Sequence, residues 1–269
     1  MSHPAIIFNR TRLRHHRDRA SASIAHADFL FRECAQLLAD RLPDIKRHFP
    51  TVLDLGCHHG YLRDYISSLN GIEWIVQADI SARMVSHAKG ARLVCDEEFL
   101  PFADASFDLV TSVFSLQWIN DLPGTLIQIN RMLKPGGLMM VMLPGGQTLK
   151  ELRQSLEHAE LDLTGGLSPR ISPFVDTRDG AGLLQRAGFT SPVADSEVLT
   201  IHYDSPQNLI DDLRSSGETN NLLASHTGGL RRSIFDAAMD YYQEHFAHAN
   251  GKVNASCEVV TLTGWKKDA

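Results

Sequence analysis

The sequence predicts an α/β fold built on a doubly wound parallel sheet, and three observations carry that prediction. Between residues 50 and 145, buried-strand runs alternate with amphipathic helical segments, the order that packs helices on both faces of a parallel sheet. The first strand leads into Val52-Leu-Asp-Leu-Gly-Cys-His-His-Gly60, a strand, glycine turn and helix start that opens backbone toward a ligand at the carboxyl edge of the sheet. Acidic residues then recur at three successive strand ends: Asp54, Asp79 and Asp96.

Each element has a local reason. Ile24, Ala27, Phe31, Cys34, Leu38 and Leu42 recur at helical spacing and place a helix ahead of the first strand, with Pro43 and Pro50 bounding a linker. Residues 61–69 continue amphipathically from the glycine turn. Glu73–Ile80 is a buried strand, Ser81–Lys89 a helix with Ser81 as its N-cap, and Ala91–Cys95 a third strand. Phe107–Phe114, apolar and β-branched, is a fourth. Leu122, Leu126, Ile129 and Leu133 share one face of a helix that stops at Lys134-Pro-Gly-Gly137, and Leu138–Leu143 is the fifth strand.

Past Pro144 the pattern changes. Leu149, Leu152, Leu156 and Ala159 form a helical face, residues 164–173 are rich in turn formers, and a helix over 178–187 ends at Gly188. Strands near 193–203 and 257–265 are separated by segments that read as helical, 205–215 and 229–247. Those strands are expected to pair at the sheet edge, with the helices between them covering the site. The chain therefore divides into an N-terminal basic arm and helix (1–49), a ligand-binding core (50–145), and a completion of the sheet (146–269) carrying a helical cap at about 204–256.

Composition narrows the function. With 269 residues, 43% of them apolar and 22% charged, the chain reads as a soluble globular protein of one large core or a core with a cap. A net charge of −6 argues against general affinity for nucleic acid. One stretch breaks that balance: five arginines and two histidines lie between Arg10 and Arg19. It reads as a solvated basic face, with contact to an acidic surface as the rival reading and a faint likeness to a mitochondrial presequence. The scattered cysteines, Cys34, Cys57, Cys95 and Cys257, form no CxxC pair and read as reduced thiols of an intracellular protein. No apolar run approaches the roughly 18 residues a membrane helix needs, which leaves peripheral membrane association open. His15-His16 and His58-His59 lack zinc spacing, and His26-x-Asp28 lacks a second histidine for an iron triad, so no metal is expected.

The glycine turn is selective about its ligand. A dinucleotide turn wants glycines where this chain has Gly56, His58 and Tyr61, so NAD and FAD are disfavoured. The spacing Asp54-x-Gly56-x-x-x-Gly60 suits a ligand without a pyrophosphate, such as S-adenosylmethionine. Gly56 would let backbone approach the methionine moiety, and Asp54 would accept from its amino group. The bland alternative is an ordinary turn that caps a helix. Asp79 can accept both ribose hydroxyls or, alternatively, cap the helix at 81. Asp96 can accept from an adenine amino group, with Leu100 and Phe102 in apolar contact.

Val52–Gly60, Ala78-Asp-Ile-Ser81, Asp96–Phe102, Ser106-Phe-Asp108 and Leu133–Gly137 resemble, in order, the motifs of class I S-adenosylmethionine-dependent methyltransferases. The resemblance implies a Rossmann-like seven-stranded sheet with an antiparallel last strand, and S-adenosyl-L-methionine as cofactor. It assigns Asp54, Gly56 and Gly60 to the methionine end, Asp79 to the ribose, and Asp96 with Glu97 to the adenine, with Cys57, Ile80 and Ser115 completing the set. His58 departs from it, since many members have glycine there; its side chain either narrows the mouth of the site or points to solvent.

A narrower resemblance runs along nearly the whole chain. Ile7-Phe-Asn-Arg10, the 96–102 segment, Ser115-Leu-Gln-Trp-Ile-Asn-Asp-Leu-Pro123, Gly166-Leu-Ser-Pro-Arg-Ile-Ser-Pro-Phe174 and Gly217-Glu-Thr-Asn220 are similar to a mitochondrial assembly factor of respiratory complex I and its bacterial relatives. That family implies hydroxylation of an arginine, hence a protein substrate, a complex I subunit, met in the mitochondrial matrix of a eukaryote or the cytoplasm of a bacterium. The malonyl-acyl carrier protein O-methyltransferases share the core motifs and the Leu-Gln-Trp run but not the 166–174 and 217–220 segments, and they imply methyl transfer to a carboxylate. A non-catalytic assembly chaperone is the third reading. Because Phe8–Arg10 falls inside the matched region, the basic start is not expected to be a removable presequence. Against an acyl carrier, it would instead meet an acidic protein.

The substrate candidates keep two readings each. Trp118 lines the pocket or packs under the cap. Glu218 and Asn220 meet a substrate guanidinium or form a surface turn. His202 and Tyr203 donate toward the pocket or pack at the sheet edge. No catalytic residue is assigned.

Overall fold

A computed structural model describes residues 6–69, 71–224 and 229–268. The sheet begins with β1 (Thr51–Leu55), an apolar run from Val52 with buried residues on both faces. It pairs in parallel with β2 (Trp74–Asp79) on one side and β4 (Phe107–Val113) on the other. Beyond β2 lies β3 (Ala91–Val94); beyond β4 lies β5 (Leu133–Pro144), both parallel. β7 (Val253–Lys266) runs antiparallel between β5 and β6 (Phe189–Tyr203), giving the order β3-β2-β1-β4-β5-β7-β6 over seven strands. The edge pairing and the antiparallel last strand agree with expectation. The chain moves outward from β1 through β3 and then returns to β4, so a topological switch point opens between the carboxyl ends of β1 and β4, where such sheets bind ligands.

Helices cover both faces. On one, α2 (Phe29–Asp40), α3 (Tyr61–Ile66) and α4 (Ala82–Ser86) bury Phe31, Leu38, Ile66 and Met84 against Val52, Leu109 and Met140. On the other, α5 (Leu122–Met132) and α7 (Thr177–Arg186) bury Leu126, Ile129 and Leu184 against Leu53, Val110 and Val141. Ser81 is the N-cap of α4, as its position before the helix predicts: its Oγ accepts from the Met84 N–H at 3.0 Å and donates to Asp18 Oδ1 at 2.6 Å. α6 (Lys150–Thr164), α8 (Pro206–Ser216) and α9 (Arg232–Phe246) form a third apolar cluster, with Leu156, Leu209, Ala238 and Tyr242 packed on Val253 and Ala255 of β7.

Four expectations change. The basic stretch is a helix, α1 (Arg10–Ala20), N-capped by Asn9, whose side chain accepts from the Arg12 N–H at 2.9 Å. The single helix expected over 24–42 is split into a 3₁₀ turn at Ile24–His26 and then α2. β5 begins at Leu133 and runs through the Pro-Gly-Gly expected to end the preceding helix. β6 and β7 are longer than expected, and β6 carries an irregularity between Thr190 and Val193, with Ser191 at φ +47°. Arg41, just past α2, reaches the open side of the sheet and grips Asp195 of β6 with two hydrogen bonds of 2.8 Å. Among the described residues no helix is long and apolar enough to cross a membrane.

Candidate active site

The glycine turn is pinned to the sheet by its own backbone. The Gly56 and Cys57 N–H groups both donate to the Ala78 carbonyl, at 2.7 and 2.9 Å. Gly56 sits at φ +70°, and a Cβ there would lie 2.1 Å from both Cβ and Oγ of Ser115, so the position accepts only glycine. His58 shares the left-handed conformation at φ +51°, which side chains rarely adopt. Its N–H donates to Asp79 Oδ2 at 3.0 Å, and its ring turns inward against Phe31, 4.5 Å between centroids. Burial holds its pKa well below the ordinary value, with the charge of Arg17 adding to that, so the imidazole is neutral. Of the two readings for His58, the solvent-facing one is therefore excluded.

Asp54 ends the apolar run of β1 and is 2% exposed. Burial, then the neighbouring charge of Asp79, raises its pKa to about 7. Its Oδ2 is buried without a hydrogen-bond partner. It borders a cavity of about 10 Å³ together with Gly56, Cys57, His58 and Phe31. The Cys57 thiol is held neutral, its pKa pushed well up by burial.

The acids at 79, 96 and 97 converge, and here the sequence reading needs its largest correction. The basic stretch is a solvated face only in part: Arg14, His15 and Arg19 are exposed, but Arg17 is wholly buried. Its Nη1 donates to Asp79 Oδ2 at 3.2 Å and to Glu97 Oε1 at 3.4 Å, its Nη2 donates to Ser115 Oγ at 3.0 Å, and Nη2 lies 4.0 Å from Glu218 Oε1. Burial opposes the Arg17 charge, but Asp79, Glu97 and Glu218 outweigh it and raise the pKa. About two turns earlier, Arg10 donates to Asp96 Oδ1 at 2.6 Å and to Glu97, and reaches the Trp118 carbonyl at 3.4 Å. Ser115 Oγ donates to Glu97 Oε1 at 2.8 Å. Asp79 also bonds locally, its Oδ1 accepting from the Ser81 N–H at 2.8 Å, so the helix-end role considered for it is present. Ile80 is buried beside it and takes no part in the ionic network.

Beside Phe114 and Gln117 a largely apolar cavity of about 260 Å³ opens, walled by Phe29, Phe31, Trp118, Ile171, Tyr203 and Leu213. Glu218 stands on its lining. Its Oε2 accepts from Trp118 Nε1 at 2.7 Å and Gln117 Nε2 at 3.2 Å, while Oε1 has no hydrogen-bond donor. Glu218 is therefore not a surface-turn residue; burial raises its pKa against the opposing pull of Arg17 and Trp118. Asn220 holds two backbone strands of the rim together, donating to the Arg170 carbonyl at 3.0 Å and accepting from the Leu222 N–H at 2.8 Å. Tyr203 is a wall residue whose pKa is raised by burial and by Asp212. His202 is a correction: strand alternation turns it out of the cavity to the exposed side, where its ring lies 5.6 Å from His248.

This sheet order, with a glycine turn and acids at its switch point, defines a methyltransferase-type α/β enzyme. Residues 26–191 match the family model for a methyltransferase domain. The chain is 39% identical to the mitochondrial arginine hydroxylase NDUFAF5 of Homo sapiens, over 89% of this chain and 70% of that protein. It is 32% identical to the malonyl-[acyl-carrier protein] O-methyltransferase of Methylovorus sp. (strain MP688), over 100% of this chain and 93% of that protein. Among solved structures it superposes on YcgJ of Bacillus subtilis with TM-score 0.58 and 16% identity, covering 86% and 98% of the two chains. Phosphoethanolamine N-methyltransferase 2 of Haemonchus contortus in complex with S-adenosyl-L-methionine gives TM-score 0.57 at 18% identity, covering 95% of this chain and 60% of that one. The chain thus belongs to the S-adenosylmethionine-dependent methyltransferase superfamily, an enzyme family whose members at 30–40% identity to it include both arginine hydroxylases and O-methyltransferases.

Proposed function

We propose that this protein binds S-adenosylmethionine at the switch point and modifies a protein side chain, as the arginine hydroxylases it resembles do. The residues present fit the cofactor. Asp54, with its orphaned buried oxygen, would receive the ammonium group. Gly56 and Cys57 would admit the methionine backbone, Asp79 would accept the ribose hydroxyls, and Asp96 with Glu97 would meet the adenine. Ile80 and Ser115 would line the same crevice. When bound, S-adenosylmethionine supplies an electrophilic methyl group on a sulfonium. The 1–49 arm, the 50–145 core and the cap at about 204–256 would then be a closure, a cofactor site and a substrate cover.

The observation that carries the substrate reading is Glu218, a carboxylate beside an apolar cavity with one oxygen left without a donor. That combination suits a guanidinium on an aliphatic stem, whose methylenes pack on Phe31 and Trp118 while its N–H groups pair with the carboxylate. Hydroxylation converts one C–H of the arginine to C–OH. With dioxygen as oxidant, the second oxygen leaves as water and a two-electron reductant is consumed. This chain's own part is to orient the side chain and to keep water from the reacting carbon. The partner would be a respiratory complex I subunit, met in the mitochondrial matrix or in the bacterial cytoplasm, with peripheral contact to the membrane that holds that complex.

A second reading, methyl transfer to a carboxylate, is favoured by one observation: the O-methyltransferase relative aligns along the whole of this chain. That reaction needs an aligned nucleophile and excluded water rather than a dedicated base. Calorimetry tests the shared premise, with Asp79→Ala expected to weaken S-adenosylmethionine at least tenfold; equal affinities would remove the ribose assignment. Mass spectrometry of the respiratory subunit after gene deletion then separates the reactions. Loss of a ~16 Da increment marks hydroxylation, loss of ~14 Da marks methylation, and an unchanged mass marks a non-catalytic chaperone.

A further inference from the structure

The acids assigned to the cofactor already hold a cation of the chain's own. Asp79 offers about four lone-pair sites. Three donors occupy it: the Ser81 N–H, the His58 N–H and Arg17 Nη1. Glu97 is bonded by Arg10, Arg17 and Ser115 together. Beside Asp54 only about 10 Å³ is open, room for about one water, whereas ligand pockets run to roughly 300 Å³ or more. A nucleoside held by Asp79 and Glu97 would have to displace the Arg17 guanidinium from both.

Arg17 is held there by more than its own bonds. Ahead of α1, Phe8 bridges to Leu222 and the Asn9 N–H donates to the Asn221 carbonyl at 2.9 Å. Behind it, Ser23 Oγ donates to the Ser215 carbonyl at 3.0 Å. Within it, Leu13 is buried with Phe8 and Trp118. The helix is fastened at both ends to the segment that carries Glu218.

We propose that Arg17 is a resident cation that competes with the cofactor for Asp79 and Glu97, and so sets the cofactor's affinity. The inference rests on the S-adenosylmethionine reading. Without a ligand, Arg17 neutralises buried carboxylates that would otherwise repel one another; S-adenosylmethionine would offer Asp79 its ribose hydroxyls and Glu97 its adenine in place of the guanidinium. The binding-competent form, with Arg17 withdrawn, is then a minor population.

The test is calorimetric titration of S-adenosylmethionine into the wild type, Arg17→Ala and Arg17→Lys. A minor form populated at about 0.1–10% lowers the apparent affinity by that fraction, so Arg17→Ala is expected to bind about 10- to 1,000-fold more tightly. Arg17→Lys keeps the charge but cannot reach Asp79, Glu97 and Ser115 through two nitrogens, and is expected to fall between. Unchanged or weaker binding by either variant, with binding by the wild type intact, overturns the inference and leaves the cofactor reading standing. No binding by any of the three overturns the cofactor reading, and the inference with it. Should Arg17→Ala not fold, Arg17→Lys carries the comparison. Stopped-flow fluorescence of the wild type adds an independent measure: the association rate should level off as the cofactor concentration rises, at the rate of Arg17 release. A rate that climbs linearly through the millimolar range counts against it.

Discussion

Asp54 carries a proton that the unfolded chain would have given up, and stability should record it. Its pKa stands at about 7, raised first by burial and then by Asp79, against an ordinary value of 3.8. Below pH ~4 both the folded and the unfolded forms hold the proton. Between ~4 and ~7 only the folded form does, so each step up in pH draws the equilibrium toward the unfolded chain. The stability is therefore present at acid pH, is lost as pH rises through that window, and is flat above it. A difference of about 3 pKa units corresponds to about 4 kcal/mol. Asp54→Asn keeps the shape of the protonated carboxyl and removes the titration. Urea unfolding of both proteins across the range, compared as a difference, cancels every other titrating group. The wild type is expected to lose about 4 kcal/mol relative to Asp54→Asn between pH ~4 and ~8. Parallel curves, or a wild type that gains on the variant with rising pH, would refute the argument that this carboxyl is buried and neutral.

Two further outcomes follow from local geometry. Gly56→Ala places a methyl group 2.1 Å from Ser115 at φ +70°; the conformational cost and the overlap together should remove about 3 kcal/mol by urea midpoint, along with cofactor binding. Ser81→Ala deletes the cap bond to Met84 and the bond to Asp18; thermal unfolding should show a loss of about 1 kcal/mol.

The sheet was legible because its signals are local and repeated. Alternating periods placed every strand, and Ser81 announced its helix by position alone. The glycine turn was legible because Gly56 and Gly60 both adopt the conformations that favour glycine. What could not be read was α1. Its buried face is Leu13, Arg17 and Ala20, and an arginine in the middle of an otherwise polar helix does not register as a core residue. A signal was present in the spacing: Asn9 as a cap, followed by Arg10, Leu13, Arg17 and Ala20 on one helical face, opposite a core with an excess of strand-end acids. The charges had to be matched across some sixty to ninety residues of sequence, and no local pattern reports such a pairing. His58 hides for a related reason, since its inward turn depends on Phe31 and Phe114, which come from two other elements.

The outer strand β6 has a consequence for how the protein behaves among copies of itself. An edge strand of 15 residues, open on its outer side, is a template onto which another chain can add by backbone hydrogen bonds. Here Pro192 lacks an N–H to offer, the irregularity between Thr190 and Val193 breaks the repeat, and charged side chains stand along the strand, Asp195 paired with Arg41 and Glu197 close to the same guanidinium. The opposite edge, β3, is four residues long. Val193 and Val198 are nevertheless 51% and 44% exposed on β6. The strand is thus adhesive in its side chains and guarded in its backbone, with Pro192 and the charged side chains beside it as the guard.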